Sequence, residues 1–283
     1  MHISQEDFLW LKEKARQSAL DYFLFLPVII GIKKTSIIDI PSAVSLDPFI
    51  EIASHFNLCY RRKHIVYENW ERVELAADAK GEFLREIYLA RSYDDLTAIY
   101  DVYPTRKDEY REDVQLHGVL LSYPECCIRS FRPSGTSEGV FRVYKNTVSH
   151  PFSRYLNIIW HGQRYISHIP CSFDCVSSIA YAKQLSPYGD ASELSGHFLY
   201  FIDGSALRFN NVKKEKDNIL RFEGVAESSI KTAHPEIMKH LIALLEKGGR
   251  IEFADETFGI YREKKLLGRY GGKGKYWIYM EFA

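Results

Sequence analysis

Two pairs of cysteines constrain this fold more than any other feature of the sequence. Cys126 and Cys127 are adjacent, and Cys171 and Cys175 follow in a separate segment. Pairs from distant parts of a chain are how many zinc and iron-sulfur sites hold a fold together. Five cysteines in 283 residues are too few for a disulfide scaffold. We therefore predict that the fold gathers these four side chains into one site, and that Cys59 packs as a small hydrophobe.

Both pairs fall where a loop is predicted to enter a helix. Pro124 and Glu125 suit the first turn of a short helix that carries Cys126 and Cys127, and Cys175 precedes a helix predicted from Ser177 to Leu185. Unpaired backbone N–H groups and the helix dipole favour thiolate over thiol at such positions. The pattern predicts sulfurs that ligate a metal or attack an electrophile.

The spacing leaves the ligand set and the metal open. Adjacent helical residues point about 100° apart, so one of Cys126 and Cys127 is expected to ligate while the other packs. His168, three residues before Cys171, is then the best-placed fourth ligand for a tetrahedral zinc site, with His117 a weaker candidate. Three thiolates with one open iron would instead suit an iron-sulfur cluster.

Three functional hypotheses follow from the cysteines. In the first, an iron-sulfur or zinc centre activates a small-molecule substrate while His168 or Asp174 moves protons; Asp174 is also a candidate helix cap. In the second, a structural zinc holds a binding module whose basic strand, Arg61 to His64, contacts RNA or a protein partner. In the third, Cys127 forms a reversible disulfide with Cys171 or Cys175, without metal.

Composition bears on partners and location. The chain has 37 Lys and Arg against 37 Asp and Glu, so no global field attracts nucleic acid or a membrane surface. The longest apolar run, Tyr22 to Ile32, is about half the roughly 20 residues needed to cross a bilayer. The first residues lack the features of a secretory signal. We predict a cytoplasmic protein with no membrane span.

Hydrophobic periodicity predicts an α+β protein with two domains. Residues 1–195 are predicted to form a mainly helical domain with short strands that carries the cysteine site, and residues 196–283 a smaller β-rich domain with one helix, from His234 to Gly248. Helices are predicted for Gln5–Leu24, Asp47–Phe56, Lys80–Arg91, Asp94–Tyr100 and Lys107–Leu121, and N-terminal strands for Val28–Ile32, Ser36–Ile40 and Leu58–Val66.

The cysteine segments resemble a known family. Leu116–Phe131, with its Tyr-Pro-Glu-Cys-Cys core, and the later His168-Ile-Pro-Cys-Ser-Phe-Asp-Cys175 resemble an uncharacterised prokaryotic family, domain of unknown function 483, over about Lys80 to Phe209. The resemblance implies that both elements form one functional unit, and it implies no particular reaction. Ser122 stands where the family is expected to have glycine before Tyr-Pro.

Overall fold

The chain divides into two compact units, Met1–Phe131 and Arg132–Ala283. The computed structural model describes residues 3–17, 20–68, 71–102, 110–132, 136–158, 165–201, 205–214, 220–229, 243, 250–254, 257–262, 265–273 and 277–283. The domain boundary predicted between residues 195 and 196 stays a prediction.

The first unit combines an antiparallel sheet with helices. Its four strands are hydrogen-bonded in the order β1-β4-β2-β3. The strands are β1 (Thr35–Pro41), β2 (Cys59–Glu68), β3 (Glu71–Leu75) and β4 (Leu84–Ala90), and the helices are α1 (Gln5–Gln17), α2 (Leu26–Ile29), α3 (Asp47–His55), α4 (Tyr93–Val102), α5 (Tyr110–Leu120) and α6 (Glu125–Ser130).

The prediction of a mainly helical N-terminal two thirds is wrong, because the first unit contains a four-stranded sheet beside its helices. The clearest error is the helix predicted for Lys80–Arg91, where the structure has strand β4. β4 lies between β1 and β2, and its last residues, from Ile87 to Ala90, are all buried. A strand covered on both faces lacks the alternation of apolar and polar residues, so its sequence resembles a buried helical segment.

Two further differences between prediction and structure concern α2 and β3. The strand predicted for Val28–Ile32 is wrong, because α2 begins at Leu26 and has Pro27 in its first turn. Proline suits that position because a first-turn N–H has no partner inside the helix. Strand β3 was not predicted.

The second unit has two antiparallel sheets and two α-helices among its described residues. One sheet has the order β11-β5-β6-β7 and the other the order β10-β9-β8. The helices are α7 (Thr136–Asn146) and α8 (Val176–Leu185), and the strands are β5 (Gly196–Phe201), β6 (Ala206–Lys214), β7 (Leu220–Ser229), β8 (Arg250–Ala254), β9 (Thr257–Arg262), β10 (Lys265–Gly271) and β11 (Trp277–Phe282).

The two sheets of the second unit share a hydrophobic core. Trp277, on β11, is 2% exposed, and its ring meets that of Phe258, on β9, edge to face at a centroid distance of 4.8 Å. The indole Nε1 donates a hydrogen bond to the carbonyl of Gly271 at 3.1 Å. Among the described residues, the buried side chains of this core are Leu199, Leu207, Phe209, Ile251, Phe258, Ile260 and Trp277.

Two further predictions concern a helix near the C-terminus and the absence of a membrane span. The helix predicted from His234 to Gly248 lies outside the described residues, apart from Ala243. In the described part of the chain, no helix has the length and apolar character needed to cross a membrane.

We expect Trp277→Ala to lower the free energy of unfolding by about 3–5 kcal/mol, because it leaves a cavity between the two sheets. Trp277→Phe keeps an aromatic ring there but loses the hydrogen bond to Gly271, so its cost should be clearly smaller. Urea denaturation followed by circular dichroism measures both. Equal losses for the two variants would contradict the packing role of the ring.

Candidate metal centre

The structure brings the four predicted cysteines together. The sulfur atoms of Cys126, Cys127, Cys171 and Cys175 all lie within 4.8 Å of one another, and no disulfide joins them. The Sγ atoms of the adjacent Cys126 and Cys127 are 3.9 Å apart. The prediction that these side chains form one group is confirmed.

The expectation that the adjacent cysteines point away from each other is wrong for their sulfur atoms. The angle of about 100° applies to the directions in which helical side chains leave the backbone. Rotation about χ1 moves Sγ off that direction, and different rotamers of neighbouring cysteines let their sulfurs converge. Cys126 and Cys127 are therefore both placed to contact a single ion.

The turn before α6 sets the direction of the first cysteine pair. Ser122 has a φ of 57°, in the left-handed region that favours glycine, and this is the position where the family resemblance leads us to expect glycine. The hydroxyl oxygen of Ser122 accepts the backbone N–H of Lys34 at 3.1 Å. The backbone N–H of Tyr123 donates to the carbonyl of Gly118 at 2.8 Å. These bonds connect the turn to α5 and to the start of β1.

A buried lysine lies beside the same turn. The ammonium group of Lys33 is 5.0 Å from the centre of the Tyr123 ring, a cation–π arrangement. Burial lowers the pKa of Lys33 to about 8. Lys33 adds to the contacts that hold the Tyr-Pro turn, and sequence reasoning missed it because nothing in the local pattern distinguishes it from a surface lysine.

The segment from Cys171 to Cys175 is held by the C-terminal end of α7. The side-chain amide of Asn146 donates to the carbonyl of Cys171 at 3.3 Å, and the backbone N–H of Phe173 donates to the hydroxyl of Thr147 at 2.8 Å. The backbone N–H of Cys175 closes a turn on the carbonyl of Ser172 at 3.2 Å. Helix α7 was not predicted, so neither were these supports.

Phe173 anchors this segment in the core of the second unit. Its side chain is fully buried, with its ring centre 5.0 Å from that of Phe152 and 5.3 Å from that of Phe282. Burial of a whole phenylalanine side chain contributes roughly 1.5–3 kcal/mol. The residue midway between Cys171 and Cys175 therefore fixes the loop from inside the protein.

Each cysteine pair also lies next to a helix glycine packed against an isoleucine. A Cβ at Gly118 would lie 2.6 Å from Cγ1 of Ile128, the residue after Cys127. A Cβ at Gly139 would lie 2.7 Å from Cδ1 of Ile169, two residues before Cys171. Both separations are too short for a real contact. At Gly118 the added atom would meet the branched part of the Ile128 side chain, so the close approach of α5 to α6 depends on glycine; at Gly139 it would meet only the terminal methyl of Ile169, which can rotate away.

His168 contacts a serine on α8. Its side chain is buried, and its Nε2 lies 2.9 Å from the hydroxyl oxygen of Ser178 on α8. The close group formed by the four cysteines includes no histidine from the described residues. Its predicted roles as ligand and as proton carrier stay predictions; the observed contact ties the start of the second cysteine segment to α8.

Asp174 supports a turn and not a helix N-terminus. Its Oδ2 accepts the hydroxyl of Ser149 at 3.0 Å and the backbone N–H groups of Ser149 and Val148 at 3.3 and 3.4 Å. Hydrogen bonds, first from the side chain of Ser172 and then from Ser149 and Val148, lower the pKa of Asp174 below its ordinary value. Cys175, and not Asp174, occupies the N-cap position of α8.

The basic strand proposed to contact RNA has two exposed arginines, Arg61 and Arg62, followed by two buried residues. Lys63 and His64 are buried, and Lys63 lies 3.5 Å from a carboxylate oxygen of Glu74 and 4.6 Å from the ring centre of Tyr100. The guanidinium of Arg61 also lies over Tyr100, at 5.2 Å. The aromatic neighbours of this strand, Tyr60 and Tyr67, are exposed, and its contact with RNA or a protein partner stays a prediction.

Comparison with family models, curated proteins and solved structures gives no match to this chain. The case for a function therefore depends on the geometry of the cysteine group itself.

The sulfur separations fit one tetrahedral metal ion. A Zn–S distance of about 2.3 Å in a regular tetrahedron places the sulfurs about 3.8 Å apart. The Cys126–Cys127 separation of 3.9 Å is close to this value, and the largest separation, within 4.8 Å, exceeds it by an amount that small side-chain rotations can close.

Gly118→Ala should lower the free energy of unfolding by about 1–3 kcal/mol, because the added methyl group forces Ile128 and α6 away from α5. Ile128→Ala removes the side chain that the new methyl meets. The double variant should then be less destabilised than the sum of the two single changes, as chemical denaturation will measure. Simple additivity would show that the close approach has no energetic role.

The carboxyl of Asp174 should titrate below the roughly 3.9 of an unperturbed aspartate, as followed by NMR. Because its folded pKa is lowered, the group stabilises the fold above the unfolded pKa, and this stabilisation is lost as pH falls through the folded pKa. Asp174→Asn should reduce stability by about 0.5–1.5 kcal/mol at pH 7 and by less near pH 3. An equal loss at both pH values would assign the effect to packing.

Proposed function

We propose that this protein binds one zinc ion through the thiolates of Cys126, Cys127, Cys171 and Cys175. The observation that carries the proposal is the mutual approach of the four sulfurs to within 4.8 Å. Zinc accepts four thiolate ligands in tetrahedral geometry and has no redox chemistry of its own. A four-sulfur group of this size suits it without a ligand from elsewhere in the chain.

The compactness of the group favours a single ion over an iron-sulfur cluster. A cluster inserts several iron and sulfide atoms between its cysteine ligands. Thiolates bound to different irons of a cluster therefore lie further apart than thiolates around one ion. With all four sulfurs within 4.8 Å of one another, the group is spaced for ligands of a common metal.

A structural role is the form of zinc binding that the surroundings favour. Four protein ligands fill a tetrahedral zinc site and leave no position for substrate or water. Asp174, the candidate proton carrier, has a lowered pKa and accepts hydrogen bonds from the turn at residues 148–149. A carboxylate held in this way is a weak acid catalyst near neutral pH.

Purified full-length protein should contain one zinc ion per chain, and cobalt substitution should give the near-ultraviolet thiolate charge-transfer band and the visible bands of a tetrahedral site. Cys127→Ser should weaken zinc binding by about 100-fold, since roughly 10–16 kcal/mol of binding free energy is divided among four ligands. Competition with a chromogenic chelator measures the affinity.

Cys59→Ser is the matched control, because Cys59 lies on β2 outside the group and should leave zinc affinity unchanged. A brown protein that contains acid-labile sulfide would replace the zinc proposal with an iron-sulfur cluster. Protein without metal and without affinity for zinc or cobalt would overturn the proposal and favour the thiol redox hypothesis.

A further inference from the structure

The four sulfurs of the group are not equally accessible. Cys126 is exposed and Cys171 is half-buried, whereas Cys127 and Cys175 are only 3% and 6% exposed. Thiolates that reach solvent react with oxidants and alkylating agents, and buried ones are protected. We therefore expect dissolved oxidants and alkylating agents to react first at Cys126.

We propose that Cys126 is a modification site for hydroperoxides, that its oxidation leads to a disulfide with Cys171, and that this disulfide releases the bound metal. The inference rests on the proposed function, because metal binding is what keeps the sulfurs deprotonated and close together. Beyond zinc binding, the inference names a class of reactant, the hydroperoxides, and an effect of their reaction, which is the loss of zinc.

The reaction balances in two steps. The thiolate of Cys126 attacks a peroxide oxygen, an S–O bond forms as the O–O bond breaks, and the departing hydroxide takes a proton to become water. The thiolate of Cys171 then attacks the sulfenic sulfur, an S–S bond forms as the S–O bond breaks, and a second hydroxide leaves and is protonated. The two sulfurs together lose two electrons, and hydrogen peroxide becomes two molecules of water.

Cys171 is the partner that accessibility and chain connectivity favour. Cys127 is the neighbour of Cys126 on the same helical turn, where a disulfide would have to close a very small ring. Cys175 is buried and forms the N-cap of α8, with its carbonyl accepting the N–H of Ile179 at 2.9 Å. Cys171 is the remaining member within reach, and a disulfide needs its sulfur to approach from within 4.8 Å to about 2.05 Å.

Loss of two ligands makes the metal labile. A disulfide sulfur carries no negative charge and is a poor zinc ligand, so only Cys127 and Cys175 would still bind the ion as thiolates. Two thiolates do not complete a tetrahedral site, and the ion dissociates. Reduction by a thiol reverses the bridge and restores binding.

The first test uses zinc-loaded wild-type protein and limiting iodoacetamide, with peptide mass spectrometry of each cysteine. We expect Cys126 to be alkylated at least about tenfold faster than Cys127 and Cys175. The second treats the same protein with hydrogen peroxide, measures zinc release with a chromogenic chelator, and maps the disulfide. We expect zinc to appear together with a Cys126–Cys171 bridge.

Variants separate this inference from zinc binding itself. Cys126→His replaces the exposed thiolate with a zinc ligand that peroxide does not oxidise in this way, so release should slow by about tenfold or more. Cys59→Ser removes a cysteine outside the group and should release zinc at the wild-type rate. The labelling test needs no variant, so it holds even if Cys126→His does not fold.

Each outcome has one meaning. Wild-type protein that does not bind zinc overturns the proposed function. Zinc binding with equal alkylation of all four cysteines, unchanged release from Cys126→His, or a bridge that lacks Cys126 or Cys171 overturns the inference and leaves the zinc site in place.

Discussion

The convergence of four cysteine sulfurs is the constraint on which the rest of this structure depends. Two thiolates 3.9 Å apart repel each other by about 4 kcal/mol even at an effective dielectric constant of 20. Four thiolates within 4.8 Å are stable together only if protons or a cation neutralise them. A divalent ion attracts every member of the group at once, so the close packing that is unfavourable for bare thiolates becomes favourable with a metal.

The surrounding protein fixes these sulfurs through the backbone. Ser122 holds the turn before α6, Asn146 and Thr147 hold the second cysteine segment, and Phe173 buries its ring beneath that segment. None of these contacts requires a ligand. Part of the conformational entropy of the site is therefore already lost when the chain folds, before a metal ion binds. A site ordered in advance binds its ion more tightly than one that the ion itself must assemble.

Local chemistry explains what the sequence could predict. The junctions at Pro124–Glu125 and at Cys175 were identified because helix starts have strong signals within a few residues, and α6 and α8 begin there. The grouping of Cys126, Cys127, Cys171 and Cys175 was also predicted. Two cysteine pairs from distant segments, in a chain with only five cysteines, are typical of a shared metal site.

Long-range packing explains what the sequence could not predict. Strand β4 was taken for a helix because burial on both faces removes the alternation that identifies a strand. The convergence of Cys126 and Cys127 depends on side-chain rotamers, which helix periodicity does not describe. The contact between Nε2 of His168 and the hydroxyl of Ser178 on α8 likewise depends on tertiary packing, which the spacing of His168 and Cys171 in the sequence does not describe.

Affinity and reactivity are determined by different members of the same group. The equilibrium affinity for a metal depends on all four ligands, since each contributes to the binding free energy. The rate of attack by a dissolved reagent depends on the most accessible sulfur, which is Cys126. A site with two buried ligands and one exposed ligand can thus bind its ion tightly and still react at one sulfur. Full burial of Cys126 would remove that reactivity without changing the ligand set, so its exposure is the feature that would make a structural zinc site reactive.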